Sequence, residues 1–335
     1  MGFRKKHLKL EFSQREKKYL KRICISGAVI IALCIVLVSV LTAVVIRMGS
    51  PDKRDIETFT TNIDIKNKNI RETPELDQKF IKADSLEASA WTVVQMSGLS
   101  AAILQAYEEI MGTDAKVVIV NPGTRKEEVA ELLSKKLKWS EDEKADFVKI
   151  VKESKKEHET EGYLFPDTYY FPPETKPVQA YGRLVEQFER EVISRYTTST
   201  DQAVDIDLAL KIASIIQREA AGRQDMRIVS GVIWNRIFNE MSLDIDATLQ
   251  YAKGNEKIGW WPRLTSKDKF IDSPYNTYKY EGLPPTPISN PSLASITAAL
   301  NPVKTEAFFY MHDAARKIHT AKTYKEHLRN IDTYY

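Results

Sequence analysis

Cysteine is almost missing: the 335 residues hold only Cys24 and Cys34, and both lie inside one apolar run. Everything after residue 46 must therefore hold together through its core, without disulfides or thiolate metal sites. Long uncharged stretches are equally scarce. Residues 23–46, ICISGAVIIALCIVLVSVLTAVVI, form the one charge-free run long enough to cross a bilayer as a helix. The run is longer than the apolar region of a signal peptide and no small-x-small cleavage site follows it, so a retained transmembrane helix is expected.

An excess of positive charge is also missing where nucleic acid would need it. The first 22 residues carry nine Lys and Arg against two Glu, and setting these aside from 49 bases and 46 acids leaves 40 against 44, a net charge of −4. Such a surface has no cation surplus to displace phosphate counterions, which argues against a nucleic-acid partner. The basic arm, residues 1–22, instead suits the anionic cytoplasmic leaflet. By the positive-inside rule the N-terminus is cytoplasmic and residues 47–335 lie on the extracytoplasmic face of the cell membrane.

Beyond the span the composition changes twice. Residues 47–84 are polar, mixed in charge and aperiodic, as a spacer would be. Residues 85–160 read as a small α/β module with a preceding helix over about 85–111, which includes Trp91 and Leu99. Within it KVVIV (116–120) is a strand, 121–123 a turn, and Thr124 with Glu127 a capping box for a helix through Leu137. Ser140 with Glu143 caps a second helix to about Lys155. From Glu161 the texture is aromatic and proline-rich, marking a further domain over 161–335 with helices expected at about 177–196, 205–222, 225–241 and 292–300. In the third of these Ile228, Val232 and Ile237 point inward.

The segment DIDLALKIASIIQREAAG (205–222) carries the chemistry. Leu208, Ile212, Ile215 and Glu219 succeed one another at steps of four, three and four, so Glu219 shares the face of the buried aliphatics. Desolvation beside Ile215 and Ile216, and the negative end of the helix dipole, both disfavour its ionised form. A carboxyl kept protonated near neutrality is what a general acid needs, and glycosidic cleavage is a reaction that needs one. The alternative at this point is a solvated Glu on a last turn, ahead of a C′ glycine at 222.

EGYLFPDTYYF (161–171), ASIIQREA (213–220), GVIWNRI (231–237), DATLQYA (246–252), SPYNTYKYEGLPPTPISNPS (273–292), AALNP (298–302) and HTAKTYKEH (319–327) occur in this order. Together they resemble the MltG/YceG-like family of endolytic murein transglycosylases, over about residue 117 to the end plus the single N-terminal span. The resemblance implies an α+β protein: one N-terminal transmembrane helix, a small LysM-like module and a mixed α/β catalytic domain. It implies non-hydrolytic cleavage of peptidoglycan glycan strands, leaving 1,6-anhydro-N-acetylmuramic acid ends. Peptidoglycan synthases (penicillin-binding proteins) and the elongation or division machinery are the implied partners. The family's catalytic acid falls on Glu219. Many relatives carry another acid two residues earlier, where this chain has Gln217. The chain also departs from the family at ARKI (315–318), where a glycine-rich turn is common, and at Ala321, where an aromatic is.

Such a reaction can run on one carboxyl: Glu219 protonates the glycosidic oxygen, then takes the proton of the muramyl C6 hydroxyl as that oxygen closes on C1. Neither metal nor cofactor is needed. Asp246, Thr248 and Gln250 alternate in DATLQYA and, if extended, share a face lining the cleft; Asp246 is the candidate electrostatic helper, or else a turn-forming Asp. Ser273, Tyr275, Asn276 and Tyr278 suit pyranose edges and faces, in a loop stiffened by Pro284, Pro285 and Pro287, or belong to a rigid structural loop. Arg236 either holds a stem-peptide carboxylate or pairs within the protein. His312, His319 and His327 have spacings that fit no compact zinc motif, and His319 is expected at the cleft edge. Trp260 and Trp261 fit either a sugar platform or the core. Two competing functions remain: a hydrolase with Asp246 or Asp272 as base, and a non-catalytic cell-wall or division scaffold.

Overall fold

The computed structural model describes residues 58–72, 115–153 and 161–335. The expected basic arm, the span 23–46 and the helix over 85–111 lie outside the described residues, as does the spacer apart from 58–72. Among the described residues no helix is long and apolar enough to cross a membrane. They form a mixed α/β structure in which helices dominate and each sheet is a two-stranded antiparallel pair.

β1 (Ile63–Asp64) and β2 (Asn69–Ile70) make a hairpin that seats Phe59, Ile63 and Ile70 in the main core. Here the expected spacer is ordered structure. Its three buried apolar positions, spaced four and seven apart, do not announce a hairpin, and long-range bonds fix it: Asn301 Nδ2 donates to the Thr60 carbonyl at 2.7 Å and Thr61 Oγ1 to that of Leu300 at 2.8 Å.

β3 (Lys116–Ile119) leads into α1 (Lys126–Leu137) and α2 (Glu141–Glu153). β4 (Thr168–Phe171) then pairs with β3, so the sheet crosses the position expected to separate module from catalytic domain. The box at Ser140 forms as expected, with the Glu143 N–H donating to Ser140 Oγ at 3.2 Å and the Ser140 N–H to Glu143 Oε2 at 2.9 Å. At α1 the cap falls one residue later than expected. The Thr124 hydroxyl donates back to the Asn121 carbonyl within the turn, and the Arg125 N–H donates to Glu128 Oε2 at 3.0 Å. Val118, Leu133, Phe147, Phe171 and Leu184 build a second apolar cluster, to which α3 (Pro177–Glu191) contributes Leu184.

After α4 (Thr198–Ala203) comes α5 (Ile206–Glu219), opened by Asp205, whose carboxylate accepts the Leu208 N–H at 2.8 Å. Ile212, Ile215 and Ile216 are fully buried, and truncating any of them to Ala costs about 2–5 kcal/mol. α5 stops at Glu219 because Ala220 turns extended. Gly222 is therefore not a C′ residue; it is the extended N-cap of α6 (Arg223–Phe238). In α6 Val232 is buried as expected, whereas Ile228 and Ile237 are half-buried and Val229, Ile233 and Trp234 fill the core. Gly231 faces the chain so closely that a Cβ would stand 2.3 Å from the Val303 carbonyl oxygen. α7 (Asp246–Lys253), α8 (Leu293–Leu300), the hairpin of β5 (Phe309–His312) with β6 (Ile318–Ala321), and α9 (Tyr324–Tyr334) complete the described chain.

Candidate active site

α5 carries Glu219 from the main core to a cavity of about 680 Å³, which it lines together with Asp246, Tyr278, Tyr310 and His312. The carboxyl does not project into bulk solvent. Its Oε2 accepts the Tyr310 hydroxyl at 2.8 Å, and its Oε1 faces the Ala247 N–H at 3.4 Å in the first turn of α7. Burial raises the Glu219 pKa above the ordinary carboxylate value; the Tyr310 and Ala247 bonds pull it down, and nearby Asp246 pushes it up. Burial prevails, so the carboxyl keeps its proton to a higher pH than a solvated glutamate does. The two donors are nonetheless aimed where negative charge appears once the proton leaves, and Tyr310, itself raised well above its usual value by burial and by Glu219, remains a donor.

Asp246 opens α7, and its Oδ1 accepts the Tyr278 hydroxyl at 2.7 Å. The segment DATLQYA is thus a helix and not the extended strand expected. A short helix whose Ala247, Thr248, Leu249 and Tyr251 are all buried loses its one-sided stripe, and its polar–apolar alternation then imitates a strand. With that change Thr248 leaves the cleft. It is fully buried, bonded to the Ile245 carbonyl at 2.7 Å and to Thr277 at 2.9 Å. Gln250 donates to the Pro262 carbonyl at 3.1 Å, also away from the cavity.

Of the loop candidates only Tyr278 lines the cavity. Asn276 is fully buried and ties the loop together, donating to the Lys269 and Ile271 carbonyls at 3.0 and 2.7 Å and accepting the Tyr278 N–H. Ser273 accepts the Tyr275 N–H, and the Tyr275 hydroxyl meets Thr286 at 2.9 Å. Those side chains were legible as polar, but the turn's own backbone consumes them. His319 pairs with Asp313 at 2.9 Å and stacks on Tyr334, outside the cavity lining. His312, on the other strand of the hairpin, lines the cavity and meets Asp225 at 2.9 Å. Among the described residues no group of three or more His, Cys, Asp or Glu gathers as a metal site requires.

Neighbouring polar groups serve the scaffold. Arg236 also lines the cavity, but its guanidinium is engaged within the protein, donating to the Phe308 and Leu243 carbonyls, both at 2.7 Å. Gln217 accepts the Ser292 N–H and the Ser295 hydroxyl, each at 3.0 Å, and so caps α8. Trp260 and Trp261 donate to Glu131 and Glu128 of α1. Asp272 is exposed, held by Lys279 at 2.8 Å, and is not part of the cavity lining.

α7 is fixed from its far end by a buried network. Glu161 accepts the Lys126 N–H and ammonium at 2.9 and 3.0 Å and the Tyr251 hydroxyl at 3.1 Å. Tyr251 stands one helical turn beyond Ala247, so this network holds the helix that presents its N–H to Glu219. Burial works against the Lys126 ammonium, but Glu161, Tyr251 and Glu127 outweigh it and raise its pKa. Sequence reasoning missed Tyr310 and Asp225, and singled out His312 without giving it the place at the cleft that it gave His319. Nothing in FFYMHD or RQDMR marks them until the β5–β6 hairpin folds over α6.

The chain is 36% identical over 178 residues to a Bacillus subtilis protein named endolytic murein transglycosylase, covering 53% of this chain and 48% of that one. A Streptococcus pneumoniae protein of the same name is 31% identical over 185 residues, 54% of this chain and 33% of that one. The chain thus spans about half or less of the length of these relatives. A crystal structure of a YceG-like protein from Listeria monocytogenes aligns with a TM-score of 0.56 and 29% identity, over 64% of this chain and 74% of that one. The YceG-like family model matches residues 80–333, and with this order of motifs around Glu219 the chain belongs to the YceG-like family.

Proposed function

We propose that this chain is an endolytic murein transglycosylase acting on nascent peptidoglycan strands, with Glu219 as its single acid and base. The observation that carries the reading is the Glu219 carboxyl at the cavity wall, its pKa raised by burial, with the Tyr310 hydroxyl and the Ala247 N–H set to receive its anion. In the first half-reaction the Glu219 proton passes to the glycosidic oxygen as the bond to muramyl C1 breaks. The C6 hydroxyl oxygen of the same sugar then bonds to C1, and its proton returns to Glu219. No water is consumed, and the acid is regenerated. The attacking group is already held by the substrate, which gives it an entropic advantage over solvent. The Asp246 carboxylate, steadied by Tyr278, supplies negative potential to the oxocarbenium-like transition state.

The relatives' names and the family membership support this activity. The strand–helix–helix–strand order of β3, α1, α2 and β4 supports the LysM-like reading of the module. The charge asymmetry about residues 23–46 supports a single-pass anchor with the catalytic part outside the cytoplasm, close to new strands and to a penicillin-binding synthase as partner.

The competing hydrolase is favoured by one observation, the nearness of Asp246 to Glu219; Asp272, exposed and paired with Lys279, does not serve. Mass spectrometry of strands digested by the purified full chain separates the two. Ends lighter by one water than reducing ends are expected, and reducing ends throughout would replace the lyase by the hydrolase. For the scaffold alternative, full complementation of a deletion strain by Glu219→Gln would make catalysis dispensable.

A further inference from the structure

We infer that α9 forms a pyranose-binding wall of the Glu219 cavity, a subsite that grips a sugar ring of the strand away from the bond being cut; only the identity of the ligand rests on the transglycosylase reading. Tyr324, His327 and Ile331 follow at steps of three and four along α9, and all three line the cavity. An apolar stripe on a helix ordinarily buries itself in the core. None of the α9 residues is buried, and Tyr324 is 61% exposed. The stripe instead faces the open space that holds the proton donor.

The wall has the composition a sugar requires. Phe309 on β5 lies 5.8 Å from the Tyr324 ring and stacks on the His327 ring at 5.4 Å, with the Arg236 guanidinium 5.1 Å over the Phe309 ring. These rings pack against one another and brace Tyr324, the exposed ring left to meet the C–H face of a pyranose. Hydroxyl edges need polar partners. Lys269 and Asp244 line the same cavity and supply them.

The wall is also preset. Thr323 Oγ1 accepts the Glu326 N–H at 3.2 Å and Glu326 accepts the Thr323 N–H at 3.1 Å, while Asn330 Nδ2 donates to the Thr320 carbonyl on β6 at 3.2 Å. Little order is lost when a ring settles on it. Continuity with the Glu219 cavity argues for the glycan as occupant ahead of a lipid surface or a partner protein.

The test uses the full-length Glu219→Gln protein, titrated with long uncrosslinked glycan strands and with the disaccharide unit by calorimetry. Adding Tyr324→Ala should weaken strand binding about 3–10-fold, with a smaller effect on the disaccharide. Tyr324→Phe should bind as the parent does, and Lys325→Ala, on the same helix but off the wall, should leave both affinities unchanged. Equal strand affinity with and without Tyr324→Ala overturns the proposal, as does an equal loss in Lys325→Ala. A parent that ignores strands but binds anionic vesicles through Tyr324 overturns it in favour of a membrane contact. If the wild-type enzyme releases reducing ends while Tyr324→Ala still weakens strand binding, the lyase reading fails and the subsite stands.

Discussion

Glu161 and Glu219 are both raised in pKa by burial, yet their surroundings differ in kind. Glu161 is 3% exposed and faces the Lys126 ammonium, the Lys126 N–H, the Tyr251 hydroxyl and the Asn290 amide. It has no opening through which a ligand could reach it. Glu219 has two donors, no ion-paired lysine or arginine, and a cavity in front of it. Desolvation is common to both; what separates a structural carboxyl from a chemical one is whether a cation has been provided and whether a substrate can arrive. The two are linked through α7, which Glu161 holds by Tyr251 and which presents Ala247 to Glu219.

The largest contrast should come from removing each acid's function. Glu219→Gln is expected to lower kcat by at least about 10²–10⁴-fold while leaving the protein folded, measured by release of anhydro ends. Lys126→Met should do the reverse: it strands Glu161 without its cation and costs about 3–5 kcal/mol of stability in denaturant melts, with any activity loss following the unfolded fraction. If both variants lose activity without losing stability, the division of labour is wrong.

Tyr310→Phe sharpens the comparison at the catalytic end. Its hydroxyl bond lowers the Glu219 pKa, so its loss should raise that pKa further and carry the basic limb of the kcat/KM profile to higher pH, with kcat down roughly 10-fold. An unshifted limb would mean that another group controls it.

A smaller effect concerns stability. The folded pKa of Glu219 is raised, so the folded state binds the proton more tightly than the unfolded chain. The associated penalty is absent below the ordinary carboxylate pKa and grows as pH rises, until the folded group also ionises. Glu219→Gln should therefore match the wild type at low pH and become more stable above that range, as seen in melting temperatures across pH. The smallest effect is expected for Asp272→Asn, with melting temperature and activity both unchanged, because the carboxylate and its partners Lys279 and Tyr280 are at the surface.

The helix ending in Glu219 was legible because its large aliphatics recur at helical steps and its cap is local, and the cap at Ser140 was legible for the second reason. α7 was not, since burial on most sides erased its period. The polar side chains of residues 273–276 were visible, but whether a turn residue faces a ligand or its own backbone depends on the path of the loop. Pairing of β4 with β3, and of Tyr310 with Glu219, joins residues far apart in sequence, with no local pattern to announce either. Asp246 was placed beside the acid for a reason that failed, alternation in a strand, and reaches it by opening a helix instead.

Selective carbon-13 labelling of the glutamate carboxyls, with the Glu219 signal assigned by its loss in Glu219→Gln, measures the central quantity directly. The resonance should keep its protonated shift past the pH at which surface glutamates have ionised. A Glu219 that titrates with those surface groups, or below them, would contradict a general acid held neutral by burial.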